Sequence, residues 1–109
     1  MRAGDLDRRV QFLRAQLMDD GYQTRPGPYE PHGNRIWAAR RFVSDRERYA
    51  ASTVGVDSAV RFTVRYSSFT AAILHTDRLV CDGRTYAITG IKEIGRRVWI
   101  EITAAEVRE

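Results

Sequence analysis

The chain has 109 residues, a formal net charge of +4 and an isoelectric point near 9.7. This length predicts one domain over residues 1–109, large enough to bury its own core. No apolar run reaches the ~18 residues needed to cross a bilayer, and the N-terminus lacks the apolar core of a signal peptide. We therefore expect no membrane association and a cytoplasmic start. Only Lys92 among the 18 basic residues is a lysine, which fits a subunit interface, a nucleic-acid surface or a codon bias equally well.

The first third of the chain predicts one strand followed by a long loop. Residues 9–17 alternate in part, with Val10 and Phe12 between polar neighbours, and predict the first strand. Residues 18–35 then contain all three prolines and three glycines. Because these residues interrupt regular structure, the segment predicts a long flexible loop between the first two strands. Its aromatic residues Tyr22 and Tyr29 either dock on a partner or fold back on the domain.

The middle of the chain predicts a strand and a short helix. Residues 36–43 hold Trp37 and Phe42 and predict a second strand. Ser44 and Glu47 have the spacing of a capping box, which predicts a helix over residues 45–52 that ends near Gly55. Residues 59–66 alternate clearly and predict a half-buried strand, whereas residues 67–76 form a connection without a clear pattern.

The last third of the chain predicts a hairpin and a final strand. The pair Asp82-Gly83 lies between alternating apolar segments, which is the strongest local signal for a tight β-hairpin. A second turn is expected at Gly95, followed by a strand over residues 97–104 in which Val98 shares a face with Ile100 and Ile102. The whole pattern predicts an all-β fold, a small barrel or sandwich of about six strands with one short helix.

The side chains that carry chemistry show no catalytic or metal-binding spacing. Cys81 lies in an apolar strand and is interpreted as a buried small hydrophobic residue. His32 and His75 lack partners at ligand spacing. Asp82 is interpreted as a turn former, and Asp77 as a carboxylate that pairs with a neighbouring arginine. We therefore predict no catalytic residue, no cofactor and no metal, and expect that the protein is not an enzyme.

Two segments at opposite ends of the chain resemble a known family. The N-terminus reads Gly4-Asp5-Leu6-Asp7-Arg8-Arg9-Val10, and the C-terminal third reads Asp82-Gly83-Arg84-Thr85-Tyr86-Ala87-Ile88 and then Gly95-Arg96-Arg97. In order and spacing they resemble the head–tail joining proteins of tailed phages, also called head closure, stopper or head-tail adaptor proteins. The loop over residues 18–35 is longer and richer in proline than this family leads us to expect.

The resemblance implies a structural component of the neck of a phage, prophage or gene transfer particle. It implies a homo-oligomeric ring of 6 or 12 subunits, with the portal and adaptor above it and a tail terminator or tail tube below it. Packaged double-stranded DNA would lie in the lumen, and assembly would start in the bacterial cytoplasm. The expected contacts with a partner or with DNA are Tyr22, Arg25, Tyr29 and Arg35. The expected subunit-interface residues are Leu6, Asp7, Arg8, Arg40, Arg41, Arg46 and Arg48.

A different class of function is also open at this stage. The high isoelectric point and the arginine content suit a small basic β-barrel that binds nucleic acid. Such modules stack bases on aromatic side chains beside basic ones. Phe62 and Tyr66 lie on the apolar face of their strand and are expected to pack in the core, which favours the neck component.

Overall fold

Six antiparallel strands form the structure, a computed structural model that describes residues 3–19, 24–42 and 59–107. A single 3-10 turn at Ala3–Asp5 precedes them. The strands, in chain order, are β1 (Arg8–Asp19), β2 (Thr24–Phe42), β3 (Ala59–Arg65), β4 (Arg78–Cys81), β5 (Arg84–Ile94) and β6 (Trp99–Glu106). A short helix, α1 (Ser68–Ala71), lies between β3 and β4. The prediction of an all-β fold with about six strands and one short helix is confirmed.

The strands close into a barrel in the order β1-β2-β3-β6-β5-β4. Closure occurs where β1 pairs with β4, from Val10 opposite Cys81 to Leu13 opposite Arg78. This closure satisfies the backbone groups that an open sheet would leave at its edges. The inward side chains fill the interior, and the rings of Phe62 and Tyr86 meet edge to face at 5.2 Å. Burying one such aromatic side chain contributes about 2–3 kcal/mol to folding.

The predicted loop over residues 18–35 is wrong, because most of it is strand. Met18 and Asp19 end β1, and residues 24–35 form the first part of β2. Residues 14–19 of β1 pair only with residues 24–30 of β2, so this part of the hairpin is a ribbon that extends beyond the barrel. A proline lacks only its N–H, and an edge strand tolerates it where that N–H has no ladder partner. The register shifts between Val10 and Phe12 and between Ala15 and Leu17 absorb the extra residues of β2.

Helix α1 closes one end of the barrel. Ser67 is its N-cap: its hydroxyl accepts from the Thr70 N–H at 3.0 Å, and its own N–H donates to the Thr70 hydroxyl at 2.8 Å. Thr70 is buried and donates to the Arg65 carbonyl. Phe69 packs edge to face on Phe12 in the core, with ring centroids 6.0 Å apart. The four-residue helix thus places the Phe69 ring against the core of the barrel.

Two other predictions have different outcomes. The predicted helix over residues 45–52 lies outside the described residues. The prediction that Val98 shares the buried face of the last strand is wrong, because Val98 lies in the turn before β6 and is 49% exposed. Ile100 and Ile102 are buried as expected. Gly95 and Arg97 both have positive φ, so this turn ends later than the alternation predicts.

Candidate functional site

The carboxylate of Asp82 joins three strands at the end of the barrel away from α1. Asp82 and Gly83 have φ of 52° and 77°, which is the two-residue turn that an Asp-Gly pair favours. The Asp82 Oδ2 atom accepts from Arg8 Nη1 at 3.2 Å and from Arg40 Nη1 at 2.9 Å. The predicted hairpin is therefore present, and its turn also fixes the start of β1 and the end of β2.

A cleft opens beside this ion-pair cluster on the outer surface of β1 and β2. Its walls carry three arginines, two aspartates and one tryptophan, and the lining residues are Asp7, Arg8, Arg9, Gln11, Arg35, Trp37, Val80, Asp82 and Gly83. The Arg9 guanidinium lies 4.8 Å above the centre of the Trp37 ring. The Trp37 side chain is still 51% exposed. We call this group of residues the Arg–Trp cleft.

A local irregularity of β2 presents Arg35 to the Arg–Trp cleft. Between the pairs Val10–Ile36 and Phe12–His32, the single residue Gln11 faces three residues of β2, Gly33 to Arg35. The Gln11 amide donates to the Gly33 carbonyl at 3.0 Å and to the His32 carbonyl at 3.4 Å. These hydrogen bonds occupy carbonyls that the bulge removes from the ladder. Arg35 at the end of the bulge is exposed and has no carboxylate partner among the described residues.

The opposite end of the barrel contains a buried ion pair. Asp77 is 2% exposed and accepts from Arg14 Nε and Nη2 at 3.0 and 2.9 Å. Burial alone raises the pKa of Asp77, but the hydrogen bonds from Arg14 and the Leu74 N–H, with the Arg14 charge, outweigh it and lower that pKa. The prediction that Asp77 pairs with an arginine is confirmed.

Two further ionisable side chains, those of Cys81 and Tyr86, are buried. Cys81 is 1% exposed, as predicted, and burial raises the pKa of its thiol. Burial likewise raises the pKa of Tyr86. Within the described residues no three His, Cys, Asp or Glu side chains are grouped to hold a metal ion. No helix in this part of the chain is long and apolar enough to cross a membrane.

The residues predicted to contact a partner or DNA lie in different environments. Arg35 lines the Arg–Trp cleft, whereas Tyr29 folds back on the barrel, where its hydroxyl donates to the Thr76 carbonyl and Arg78 lies 4.3 Å above its ring. Arg25 is in β2, opposite Met18. Tyr22 lies outside the described residues.

The residues predicted to form the subunit interface are partly brought together. Asp7 and Arg8 line the Arg–Trp cleft, and Arg40 shares the Asp82 carboxylate with Arg8. Leu6 is buried, and Arg41 is an exposed residue of β2 opposite Arg61. Arg46 and Arg48 lie outside the described residues. No local sequence signal pairs Arg9 with Trp37, because the bulge at Gly33 obscures which residues of β1 and β2 face each other.

Comparisons with known proteins decide the family. The sequence model of the phage head completion proteins matches residues 1–107. The chain belongs to the phage head completion protein family. The resemblance to phage head closure proteins is therefore confirmed, and the chain has a structural role in completing the head of a phage-like particle. No curated protein matches the chain in sequence.

Two solved structures share the fold of this head completion protein. The solution structure of protein SF1141 from Shigella flexneri 2a is 24% identical, with a TM-score of 0.73 over 97% of this chain and 96% of that one. A chain in the virion of a native gene transfer agent particle is also 24% identical, with a TM-score of 0.64 over 94% of this chain and 96% of that one. At 24% identity, these two structures show the fold of the chain and not its role. A head completion protein is a component of the virion particle.

Proposed function

We propose that this head completion protein forms a homo-oligomeric ring of 6 or 12 copies in the neck of a phage, prophage or gene transfer particle. The ring lies between the portal and adaptor and the tail terminator or tail tube. It helps to retain packaged double-stranded DNA and offers a surface on which the tail docks. The observation that carries the proposal is the family match over residues 1–107. A protein of this kind acts through its surfaces and needs no catalytic residue.

The barrel supports assembly through side chains. Pairing β1 with β4 closes the sheet, so ring contacts are made by the outer faces of strands and by the β1–β2 ribbon. A ring requires two different patches on each subunit, one for each neighbour. We assign one patch to the N-terminal arm and β2, with Leu6, Asp7, Arg8, Arg40 and Arg41 as interface residues, and we add Arg46 and Arg48, which lie outside the described residues. Leu6 and the Asp82 ion pairs fix the position of this arm.

The ribbon supplies the contacts with a partner or with DNA. Residues 14–19 and 24–30 extend beyond the barrel, which gives each copy a two-stranded projection toward the lumen or toward a neighbouring protein. We propose Arg25, Tyr29 and Arg35 of β2 as the contacts, together with Tyr22, which lies outside the described residues. Arginine guanidinium groups bind phosphate oxygens without base specificity, as retention of any DNA sequence requires. Assembly of the ring begins in the bacterial cytoplasm.

Electron microscopy of the purified protein, alone and mixed with its portal and adaptor, tests the proposal. We expect rings on the portal–adaptor complex with the barrel of each copy traceable in the density. A protein that stays monomeric under both conditions and never joins the complex contradicts the proposal.

A small nucleic-acid-binding barrel is the second candidate, and the exposed Trp37 beside Arg9 is the observation that favours it. An aromatic ring next to a guanidinium group suits the stacking of single-stranded bases. Phe62, by contrast, is fully buried and unavailable for stacking. Titration of the monomer with a single-stranded oligonucleotide at two salt concentrations tests this function. Tight, salt-sensitive binding that quenches tryptophan fluorescence supports it, and absence of quenching at low salt refutes it.

A further inference from the structure

Two arginines that line the Arg–Trp cleft, Arg9 and Arg35, have no acidic partner among the described residues. Arg8 and Arg40 bind Asp82, Arg14 binds Asp77, and Arg84 lies 4.0 Å from Glu106. Among the described residues, Arg9 lies over the ring of Trp37 and pairs with no carboxylate, and Arg35 likewise has no carboxylate partner. The cleft therefore holds two available guanidinium groups and a half-exposed indole.

We propose that the Arg–Trp cleft binds an acidic, extended segment of another protein of the neck. Arg9 and Arg35 each pair with a carboxylate of that segment, and an aliphatic part of the segment packs on the Trp37 ring. The inference rests on the proposed neck function and adds the chemistry of one partner to it. Arginine and tryptophan are the residues that most often dominate the binding energy of protein interfaces.

The composition of the cleft favours a protein carboxylate over packaged DNA. Duplex DNA keeps its bases stacked, so the flat face of the Trp37 ring finds no base to contact. Asp7 and Asp82 also line the cleft, and a rigid duplex with closely spaced phosphates cannot keep its charges away from them. A flexible peptide can bring single carboxylates to Arg9 and Arg35 and lay the aliphatic part of a side chain on the Trp37 ring.

The charges of the chain favour a different polypeptide over a second copy. In the six-stranded ring, β6 and β5 lie opposite β1 and β2. On that side Glu101 lies 3.8 Å from Arg61, and Glu106 lies 4.0 Å from Arg84. Glu93 of β5 is exposed and is the one carboxylate of that face without an arginine partner among the described residues, so the face offers a single available carboxylate, not a pair, to the cleft of the next copy.

The cleft is preorganised for an acidic ligand. The hydrogen bonds of Gln11 with the carbonyls of His32 and Gly33 fix the bulge that presents Arg35. The Arg9 guanidinium stacks on the Trp37 ring in a cation–π contact. Asp82 occupies Arg8 and Arg40 and leaves Arg9 and Arg35 as the groups that are available. A preorganised site loses less conformational entropy on binding.

Binding of a fluorescent octaglutamate peptide, measured by anisotropy at low salt, tests the inference. An octaglutamine peptide of equal length controls for charge, and a 20-base-pair duplex competes as the alternative ligand. We expect octaglutamate to bind at least tenfold more tightly than octaglutamine. The double variant Arg9→Gln/Arg35→Gln should lose at least tenfold of this affinity, and Trp37→Ala about threefold.

The matched control is the double variant Lys92→Gln/Arg96→Gln, which changes the net charge equally at two exposed residues that do not line the cleft. It should keep octaglutamate affinity within twofold of the wild type. Circular dichroism melting curves verify that each variant is folded. Equal losses of octaglutamate affinity in the two double variants would overturn the inference. A duplex that binds the wild type more tightly than octaglutamate does, and that loses affinity for the cleft variant in the same way, would also overturn it.

The same proteins separate this inference from the neck function. Wild-type protein that joins the portal–adaptor complex while the cleft variant binds octaglutamate unchanged overturns the cleft inference alone. Wild-type protein that never joins the complex but binds octaglutamate through the cleft contradicts the neck function and supports the acid-binding cleft.

Discussion

Arg14 on β1 and Asp77 before β4 form a two-point ion pair between residues 63 positions apart in sequence. The carboxylate also accepts from the Leu74 N–H at 2.9 Å, and Arg14 Nη2 donates to the Ala72 carbonyl at 3.1 Å. One pair of side chains therefore binds the base of the ribbon to the turn that follows α1. Because Asp77 is 2% exposed, its charge depends on these donors.

Replacing Arg14 by methionine should destabilise the protein by about 3 kcal/mol, because it leaves a buried carboxylate without its counterion. This loss of stability is at the low end of the range for breaking a buried ion pair, because the Arg14 side chain is 34% exposed. The matched control is Arg84→Met, which removes an exposed partner of Glu106 and should cost less than about 1 kcal/mol. Urea unfolding at pH 7 measures both. Equal effects of the two substitutions would show that burial of Asp77 is unimportant.

The Asp77 pair should make stability depend on pH in the acid range. The pKa of Asp77 is lowered in the folded state, while the unfolded chain has the ordinary value of about 3.9. The folded protein thus binds fewer protons, so the contribution of the pair is complete above about pH 5 and is lost as pH falls below about 4. Urea midpoints from pH 7 to pH 2.5 should drop more steeply for the wild type than for Asp77→Asn. If the urea midpoints of the two proteins fell in parallel with pH, the lowered pKa of Asp77 would not be the source of the pH dependence.

The strand alternation and one turn made the barrel predictable. Val60, Phe62 and Val64 share one face of a short strand, and all three are buried. The Asp82-Gly83 pair determined a turn whose backbone conformation few other residues adopt. These are local signals, each complete within a few residues, and they are enough to define paired strands.

Longer-range features were not predictable from the same signals. The prolines and glycines of residues 24–35 indicate a loop to any local rule, yet they lie in β2 because the outer edge of a ribbon needs no donor. Helix α1 has four residues, too few to show a helical period. The Arg–Trp cleft depends on a bulge that sets the register of two strands, and the register follows from packing across the sheet.

Substituting Gly33 by alanine should cost about 3 kcal/mol. Gly33 has φ of +73°, a conformation that costs alanine about 1–2 kcal/mol. An added Cβ would also meet the ring of Phe69, which Phe12 and His32 hold in place. Gly83→Ala is the matched control, since Gly83 has φ of +77° and nothing within 4 Å of its Cβ position. Gly83→Ala should lower the free energy of unfolding only by the cost of the backbone strain.

A second substitution, Phe69→Leu, tests whether the contact with the Phe69 ring causes the extra cost of Gly33→Ala. In a Phe69→Leu background the ring is gone, so the extra cost of Gly33→Ala should fall toward that of Gly83→Ala. Chemical unfolding of the four Gly33 and Phe69 combinations gives the coupling between the two positions. Costs that add without coupling would show that the steric contact is not the reason.

Replacing Asp82 by asparagine should separate the turn from the charge. Asparagine tolerates the positive φ of this position, so the hairpin should form and the free energy of unfolding should change by less than about 1 kcal/mol. The substitution releases Arg8 and Arg40 and removes one carboxylate from the Arg–Trp cleft. Octaglutamate affinity should therefore rise about two- to fivefold at low salt and the gain should vanish near 1 M salt. A loss of affinity in folded protein would mean that Asp82 positions the cleft rather than competing for its arginines.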